Sequence, residues 1–323
     1  MIKQLQQQVE EQVAALNWSM EPKGLYQPIE YVLSLGGKRI RPVLTLLACE
    51  LFGGDKSQAM PAALAVEVFH NFTLLHDDVM DRADTRRGMP TVHKKWNDNT
   101  AILSGDAMLI KAYQLLQQAP ADKLPALLDL FSTTAMEVCE GQQYDVDFEN
   151  DLTVALPQYI EMIRLKTAVL LAAALKMGAI IGGASEQDAQ ALYNYGINLG
   201  LAFQLRDDYL DSFGDAAVFG KKIGGDICCN KKTFLMLTAL QKANKEQRDQ
   251  LEKWMDCNNE SCFEQKVASV LAIYKALQVD VRCEEAIQQY FEKSVGSLEN
   301  IQLPDNKKDI LVNFANKLMG RNK

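Results

Sequence analysis

Apolar side chains recur at three- and four-residue intervals along most of the chain. The segments are Leu25–Leu35, Val43–Phe52, Met60–Met80, Ala101–Leu116, Leu124–Val138, Tyr159–Ile181, Ala189–Leu210, Thr233–Leu240, Val267–Leu277, Ala286–Tyr290 and Ile310–Leu318. That period gathers the apolar positions of each segment on one face of an α-helix. No convincing run alternates apolar and polar residues between turn signals, so strands should be few. Leu170–Leu175 is apolar around its circumference, the pattern of a helix buried inside a large bundle. Breaks fall at Gly36-Gly37, with Pro42 placed for the first turn of the next helix, and at Gly53-Gly54-Asp55. Two longer breaks are the polar Asp81–Asn99 and the glycine-bearing Phe213–Lys231. No Ser/Pro linker divides the chain. The expectation is an all-α fold, a single large helical domain over residues 1–323.

Composition narrows this reading. The chain is 48% hydrophobic, enough for a sizeable core, and 19 Gly with 9 Pro in 323 residues is too few for a turn-rich sandwich or barrel. Lys and Arg number 34 against 42 Asp and Glu, a net charge of −8. An acidic chain lacks the basic face of sequence-independent nucleic-acid binding, so no nucleic-acid partner is expected. The opening MIKQLQQQVEEQ has no apolar core of the secretory-leader kind, and no stretch is long and apolar enough to be a membrane span. Seven cysteines at irregular spacing, with only Cys228-Cys229 adjacent, form neither a disulfide framework nor a zinc pattern. A cytoplasmic location is the expectation.

One acidic pattern occurs twice. Asp77-Asp78-Val79-Met80-Asp81 closes one apolar helix and Asp207-Asp208-Tyr209-Leu210-Asp211 closes another. Both read DDxxD. On a helix Asp77 and Asp81 share a face, as do Asp207 and Asp211. Like charges at that spacing repel, and six carboxylates at the ends of apolar helices call for a cation among them. Mg²⁺ suits the donor set, because it keeps waters, takes one or two carboxylates and completes its shell with substrate phosphates.

Phosphate in turn calls for cationic side chains, and three basic clusters provide them. They are Gly36-Gly37-Lys38-Arg39-Ile40-Arg41-Pro42, then Arg86-Arg87-Gly88 with His93-Lys94-Lys95, then Lys221-Lys222 and Lys231-Lys232 around Gly224-Gly225-Asp226. Arginine binds two phosphate oxygens at once with its planar fork, and a glycine break before a helix lets the backbone approach. The first cluster is not a P-loop, since G-x-x-x-x-G-K-[ST] is absent.

These residues occur in an ordered series: GGKRIRP (Gly36–Pro42), HNFTLLHDDVMD (His70–Asp81), RRGMPTVH (Arg86–His93), GDAML (Gly105–Leu109), EGQQYD (Glu140–Asp145), LKT (Leu165–Thr167), FQLRDDYLD (Phe203–Asp211) and GKKIGGD (Gly220–Asp226). In this the chain resembles the trans-isoprenyl diphosphate synthases of the polyprenyl synthetase family, from about Gly36 to Lys232. The resemblance implies an all-α bundle of the isoprenoid synthase type with a central active-site cavity, usually a homodimer. It implies a prenyltransferase that condenses isopentenyl diphosphate with an allylic diphosphate (dimethylallyl, geranyl or farnesyl). Metal-assisted ionisation, condensation and proton loss would follow in that order. By the same resemblance Asp77, Asp81 and Asp207 hold Mg²⁺, backed by Asp78, Asp208 and Asp211. Arg86, Lys166, Lys221 and Lys231 hold the allylic diphosphate, with hydrogen bonds from Thr167 and Gln204. Lys38, Arg41, His70 and Arg87 bind isopentenyl diphosphate, Gly37 adds backbone, and Gln142 and Asp145 back metal-bound water.

The chemistry of the residues agrees. A departing diphosphate needs its developing charge neutralised, and the allylic cation must be kept from water by dry helix faces. The hydrocarbon should run from Asp77 back along its helix past Thr73, Phe72 and Phe69. At about 1.5 Å rise per residue Phe72 sits about 7–8 Å and Phe69 about 12 Å from the motif. One aromatic at Phe72 beside a small Thr73, with no insertion in the first motif, resembles geranylgeranyl synthases. Farnesyl diphosphate and longer polyprenyl products stay open. A class I terpene cyclase would share the first DDxxD, but it has no use for Lys38 and Arg41. A non-catalytic partner subunit would tend to have lost one of the two motifs.

Overall fold

The helices form where the periodicity places them, with three differences that have local causes. The computed structural model describes residues 1–149, 151, 153–214, 223–257 and 259–320. The chain groups into two compact units. One takes Met1–Ser132 and Ala173–Leu192, the other Thr133–Ala172 and Tyr193–Lys323.

The first unit opens with α1 (Ile2–Ala14), α2 (Lys23–Ser34), α3 (Ile40–Leu51) and α4 (Lys56–Met80). A short hairpin follows, β1 (Thr85–Arg86) with β2 (Met89–Pro90), then α5 (Val92–Lys95) and α6 (Asp98–Leu116). These are the strands among the described residues. Their turn places Arg87 at φ 55° and Gly88 at φ 78°, the left-handed pair that a two-residue hairpin requires. Asp55 starts α4 by accepting the Ser57 N–H at 2.9 Å, and Asn97 starts α6 by accepting the Thr100 N–H at 2.9 Å. Residues of α4 are buried on several sides, among them Ala62, Ala63, Val66, Phe69, Phe72 and Leu75, because α3 and α6 both pack on it. Each large apolar side chain so buried contributes about 1.5–3 kcal/mol.

Next come α7 (Leu124–Glu149), α8 (Leu156–Ile163), α9 (Val169–Ile181) and α10 (Glu186–Phe213). Of these, α7, α9 and α10 contribute residues to both units. In the first unit a Cβ on Gly178 would overlap the Thr45 backbone, so only glycine allows that approach to α3.

The second unit continues with α11 (Gly225–Cys228), α12 (Phe234–Lys242), α13 (Lys245–Met255), α14 (Phe263–Ala276), α15 (Val279–Ser297) and α16 (Asp305–Met319). Its core includes Tyr159, Leu201, Leu205, Phe234, Leu235, Ile273, Tyr274 and Ile287. The Tyr195 hydroxyl fixes α16 by donating to the Leu311 carbonyl at 2.9 Å.

The first difference is that α1 and α13 were not expected. Both are mostly polar. α13 buries only Leu251 and Met255 and starts on a reciprocal cap between Asn244 and Gln247. The second is that Tyr159–Ile181 is not one α-helix, for a π-helical turn occupies Arg164–Ala168. The third is a disulfide joining Cys257 to Cys262, where sequence spacing suggested none. The pair closes the loop between α13 and α14, a separation matching no familiar motif. No helix is long and apolar enough to cross a membrane among the described residues.

Candidate active site

In the first unit, Asp77 and Asp81 lie on one face at the C-terminal end of α4, partly or fully accessible, while Asp78 is buried. Asp78 is held by Arg86, whose Nε donates to both carboxylate oxygens at 2.8 and 2.9 Å and whose Nη2 lies 2.7 Å from Oδ1. Burial pushes the Asp78 carboxyl above its usual range, and Arg86 only partly offsets this. Arg86, expected on the allylic diphosphate, is thus tied to Asp78, with Nη2 3.6 Å from Asp77. His76, next to the motif, lies within 3.1 Å of the Ile102 carbonyl and packs edge-on against Phe72. A Cβ on Gly105 would overlap its ring, which accounts for the glycine in GDAML.

The GGKRIRP segment separates into two roles. Arg39, with φ 47°, turns inward to Glu67 at 2.6 Å, Glu10 at 3.1 Å and the Leu33 carbonyl at 2.7 Å. Arg41 sits with Nη1 3.1 Å from His70 Nε2, and its Nε is buried without a partner. A buried guanidinium N–H without a protein acceptor has the chemistry to take an anionic one. Burial lowers the Arg41 pKa to about 10, with Glu67 opposing. Burial, then the nearby Arg41, Arg87, Arg86 and Arg39, hold His70 well below its usual value, so it is neutral. Arg87 donates to the Gly36 carbonyl, and a Cβ on Gly37 (φ 140°) would press on its guanidinium at 2.9 Å. Lys38 is exposed at the edge of this group. The structure therefore brings Gly37, Arg41, His70 and Arg87 together. Glu67, a lone acid in the apolar run AALAVEVF, is the counter-charge that sequence reasoning missed.

Phe72 belongs to a row of rings along α4. Phe69 lies 5.5 Å from Phe72 and 5.3 Å from Phe131, which is 5.1 Å from Tyr113. Thr73 donates to the His70 carbonyl at 2.8 Å.

The second unit repeats the arrangement. Asp207 and Asp211 are partly accessible on α10, while Asp208 is buried. Asp208 accepts from the Tyr159 hydroxyl and, at 3.0 Å, from Gln204 Nε2. Thr167 donates to Gln204 Oε1 at 3.0 Å. Burial and then Asp226 drive Asp208 well above the carboxylate range, against the Tyr159 and Gln204 hydrogen bonds. Asp211 accepts the Asp226 backbone N–H at 3.0 Å. Lys166 and Lys231 both meet Asp145, at 2.6 and 3.6 Å. Burial raises the Asp145 pKa, but Lys166 and Lys231 outweigh it and leave it below the usual range. Lys166 and Thr167 project from the π turn, and Gly141 lets α7 lie against it, since a Cβ there would overlap the Lys166 backbone. Single π turns favour functional positions. Asp145, Tyr159, Lys166, Thr167, Gln204, Asp208, Lys231 and their neighbours line a cavity of about 140 Å³. Tyr159 carried no sequence signal. Lys221 lies outside the described residues.

Among the described residues, no three His, Cys, Asp or Glu side chains cluster tightly enough to hold a metal ion by themselves. The donor set still fits a hard divalent cation. Each motif offers accessible carboxylates one helical turn apart, the kind of partial shell that Mg²⁺ completes with phosphate and water.

A polyprenyl synthetase family model matches residues 22–274. The chain belongs to that family and is a prenyltransferase. It is 45% identical over 226 residues to the geranylgeranyl diphosphate synthase of Methanosarcina mazei, covering 69% of this chain and 70% of that protein. It is 41% identical over 237 residues to the geranylfarnesyl diphosphate synthase of Natronomonas pharaonis, covering 68% and 70%. A crystal structure of geranylgeranyl pyrophosphate synthase matches with a TM-score of 0.94 at 47% identity, over 100% of this chain and 99% of that one.

Proposed function

We propose that the protein condenses isopentenyl diphosphate with an allylic diphosphate, giving geranylgeranyl or farnesyl diphosphate. The observation that carries this reading is the shared design of the two DDxxD motifs. In each, the middle aspartate is buried and bonded within its own unit, and the outer two remain on an accessible face. Asp77, Asp81 and Asp207 would hold Mg²⁺, which when bound supplies charge neutralisation for the departing diphosphate. Lys166 and Lys231 turn from Asp145 to the allylic diphosphate, and Arg86 and Lys221 would be further ligands of the same group. Arg41 and Arg87, with Lys38 and the Gly37 backbone, take isopentenyl diphosphate, and neutral His70 offers it a ring nitrogen. Gln204, oriented by Asp208, accepts from Thr167 through Oε1, and both side chains line the cavity, where their oxygens would steady the allylic cation. The same reading makes residues 1–323 one catalytic domain, working as a cytoplasmic homodimer. Exposed Ile102, Leu103 and Ile110 on α6, at 44%, 60% and 61%, support a partner surface there.

A longer product is the second reading, supported by the likeness to the geranylfarnesyl diphosphate synthase of Natronomonas pharaonis. The test is incubation of the purified chain with Mg²⁺, isopentenyl diphosphate and each allylic primer. Linear prenyl diphosphates should form, and Asp77→Ala or Asp207→Ala should abolish them in a folded protein. Full activity in either variant would refute the metal assignment. Cyclic hydrocarbon from an allylic primer alone would replace the synthase by a cyclase.

A further inference from the structure

Lys266, on α14, is a charged side chain with 0% exposure. Its ammonium has three protons and meets three oxygens: Asn230 Oδ1 at 2.7 Å, the Cys228 carbonyl at 3.2 Å and the Cys257 carbonyl at 3.2 Å. None of the three is charged. Burying an ammonium against neutral acceptors is unfavourable. An apolar side chain of similar volume would serve stability alone as well or better.

What the ammonium grips gives it a use. Cys228 ends α11, and the next residues turn sharply, with Asn230 at φ 57°. Lys266 holds this turn on both sides of Cys229, by the carbonyl of residue 228 and the side chain of residue 230. Asn230 Nδ2 also donates to the Met255 carbonyl at 2.8 Å. The next residue is Lys231, whose backbone N–H donates to the Asp226 carbonyl at 2.9 Å. Its ammonium lies 3.6 Å from Asp145 at the cavity. Lys232, also on the cavity wall, donates to the Asn230 carbonyl at 3.3 Å. Both lysines follow directly from the residue that Lys266 pins.

We propose that Lys266 is a positioning residue: it locks the Cys228–Lys232 turn so that Lys231 meets the allylic diphosphate. The inference rests on the reading of Lys231 as a diphosphate ligand. A displacement of about 1 Å at such a contact is enough for a large loss. Lys266→Met keeps the stem and removes the charge and all three donors.

The experiment measures KM for each substrate, kcat, and inorganic diphosphate binding in the presence of Mg²⁺ by calorimetry. Lys266→Met should raise KM for the allylic diphosphate about tenfold and weaken diphosphate binding by a similar factor. KM for isopentenyl diphosphate should change less than about twofold. In a Lys231→Gln background the same substitution should add almost nothing, because its route of action is gone. An equal further loss in that background would overturn the proposal. So would a lower melting temperature with both KM values unchanged. Asn230→Gly gives an independent check if Lys266→Met does not fold. Glycine tolerates the left-handed backbone and deletes only the side chain that Lys266 and Met255 hold, so a selective rise in allylic KM is expected again. An Asn230→Gly enzyme with wild-type KM values would overturn the proposal. A wild-type protein that makes no prenyl product would refute the proposed function. An active wild type with an unaffected Lys266→Met would refute this inference alone.

Discussion

Phe72→Ala should lengthen the product by one five-carbon unit. Phe72 lies five residues before Asp77, about 7.5 Å along α4 at 1.5 Å per residue. Its ring is 8% exposed and packs between Phe69 and His76, at 5.5 and 4.8 Å. Deleting it leaves Phe69 as the next floor, one turn lower, about 4.5 Å further on. An extended isoprene unit adds four carbon–carbon bonds, about 5 Å along the chain axis from standard bond lengths. The new space therefore fits one added unit. Phe69→Ala alone should leave the product unchanged, because Phe72 lies above it. Removing a buried aromatic ring costs about 3–5 kcal/mol, so both variants should be assayed well below their melting temperatures. Labelled isopentenyl diphosphate with chromatography of the dephosphorylated products reads the chain length directly. A folded Phe72→Ala enzyme with the wild-type product profile would refute the floor. An increase of several units with Phe69 intact would refute the assignment of Phe69 as the next stop.

Glu67→Ala strips the buried Arg39 of its 2.6 Å partner. It should destabilise the protein by about 3–5 kcal/mol, seen as a lower urea midpoint. Tyr159→Phe leaves Asp208 buried with one donor fewer. It should cost about 1–3 kcal/mol of stability and lower kcat more than KM, since Gln204 loses its orientation. Steady-state kinetics showing a pure KM effect would contradict this. A further prediction concerns pH. His70 is held below its usual 6.5 by burial and by the four arginines around it. The unfolded chain therefore binds a proton that the folded chain refuses, and stability falls as pH drops below about 6.5. Urea midpoints at pH 7.5 and 5.5 should differ less in His70→Gln than in the wild type.

Much of the candidate site was legible because the proposed chemistry needs rare residue types at fixed spacing. Two DDxxD repeats and a Gly-Gly-Lys-Arg-x-Arg break leave a trace in one dimension. The supporting groups leave none. Tyr159 reads as one more amphipathic position, yet its hydroxyl holds Asp208. Asp145 suggested support for metal-bound water, whereas its described partners are Lys166 and Lys231. The π turn adds one residue to a helical repeat that stays apolar on both sides of it, so Tyr159–Ile181 reads as unbroken helix. α1 and α13 escaped because three and two buried side chains respectively give too weak a period. Arg39 and Arg41 look alike in sequence. The left-handed backbone at residue 39 sends one to Glu67 and leaves the other facing His70.

Asp145 gives Lys166 and Lys231 an anion of their own. In the proposed reaction, substrate does not enter an unbalanced cationic site. It displaces a tethered carboxylate whose local concentration never falls. The same carboxylate is on hand when inorganic diphosphate is due to leave, and it takes the two ammonium groups back. A built-in competitor of this kind weakens the resting grip on diphosphate and speeds its exchange. Turnover then gains from an acid placed where tight binding alone would have excluded one.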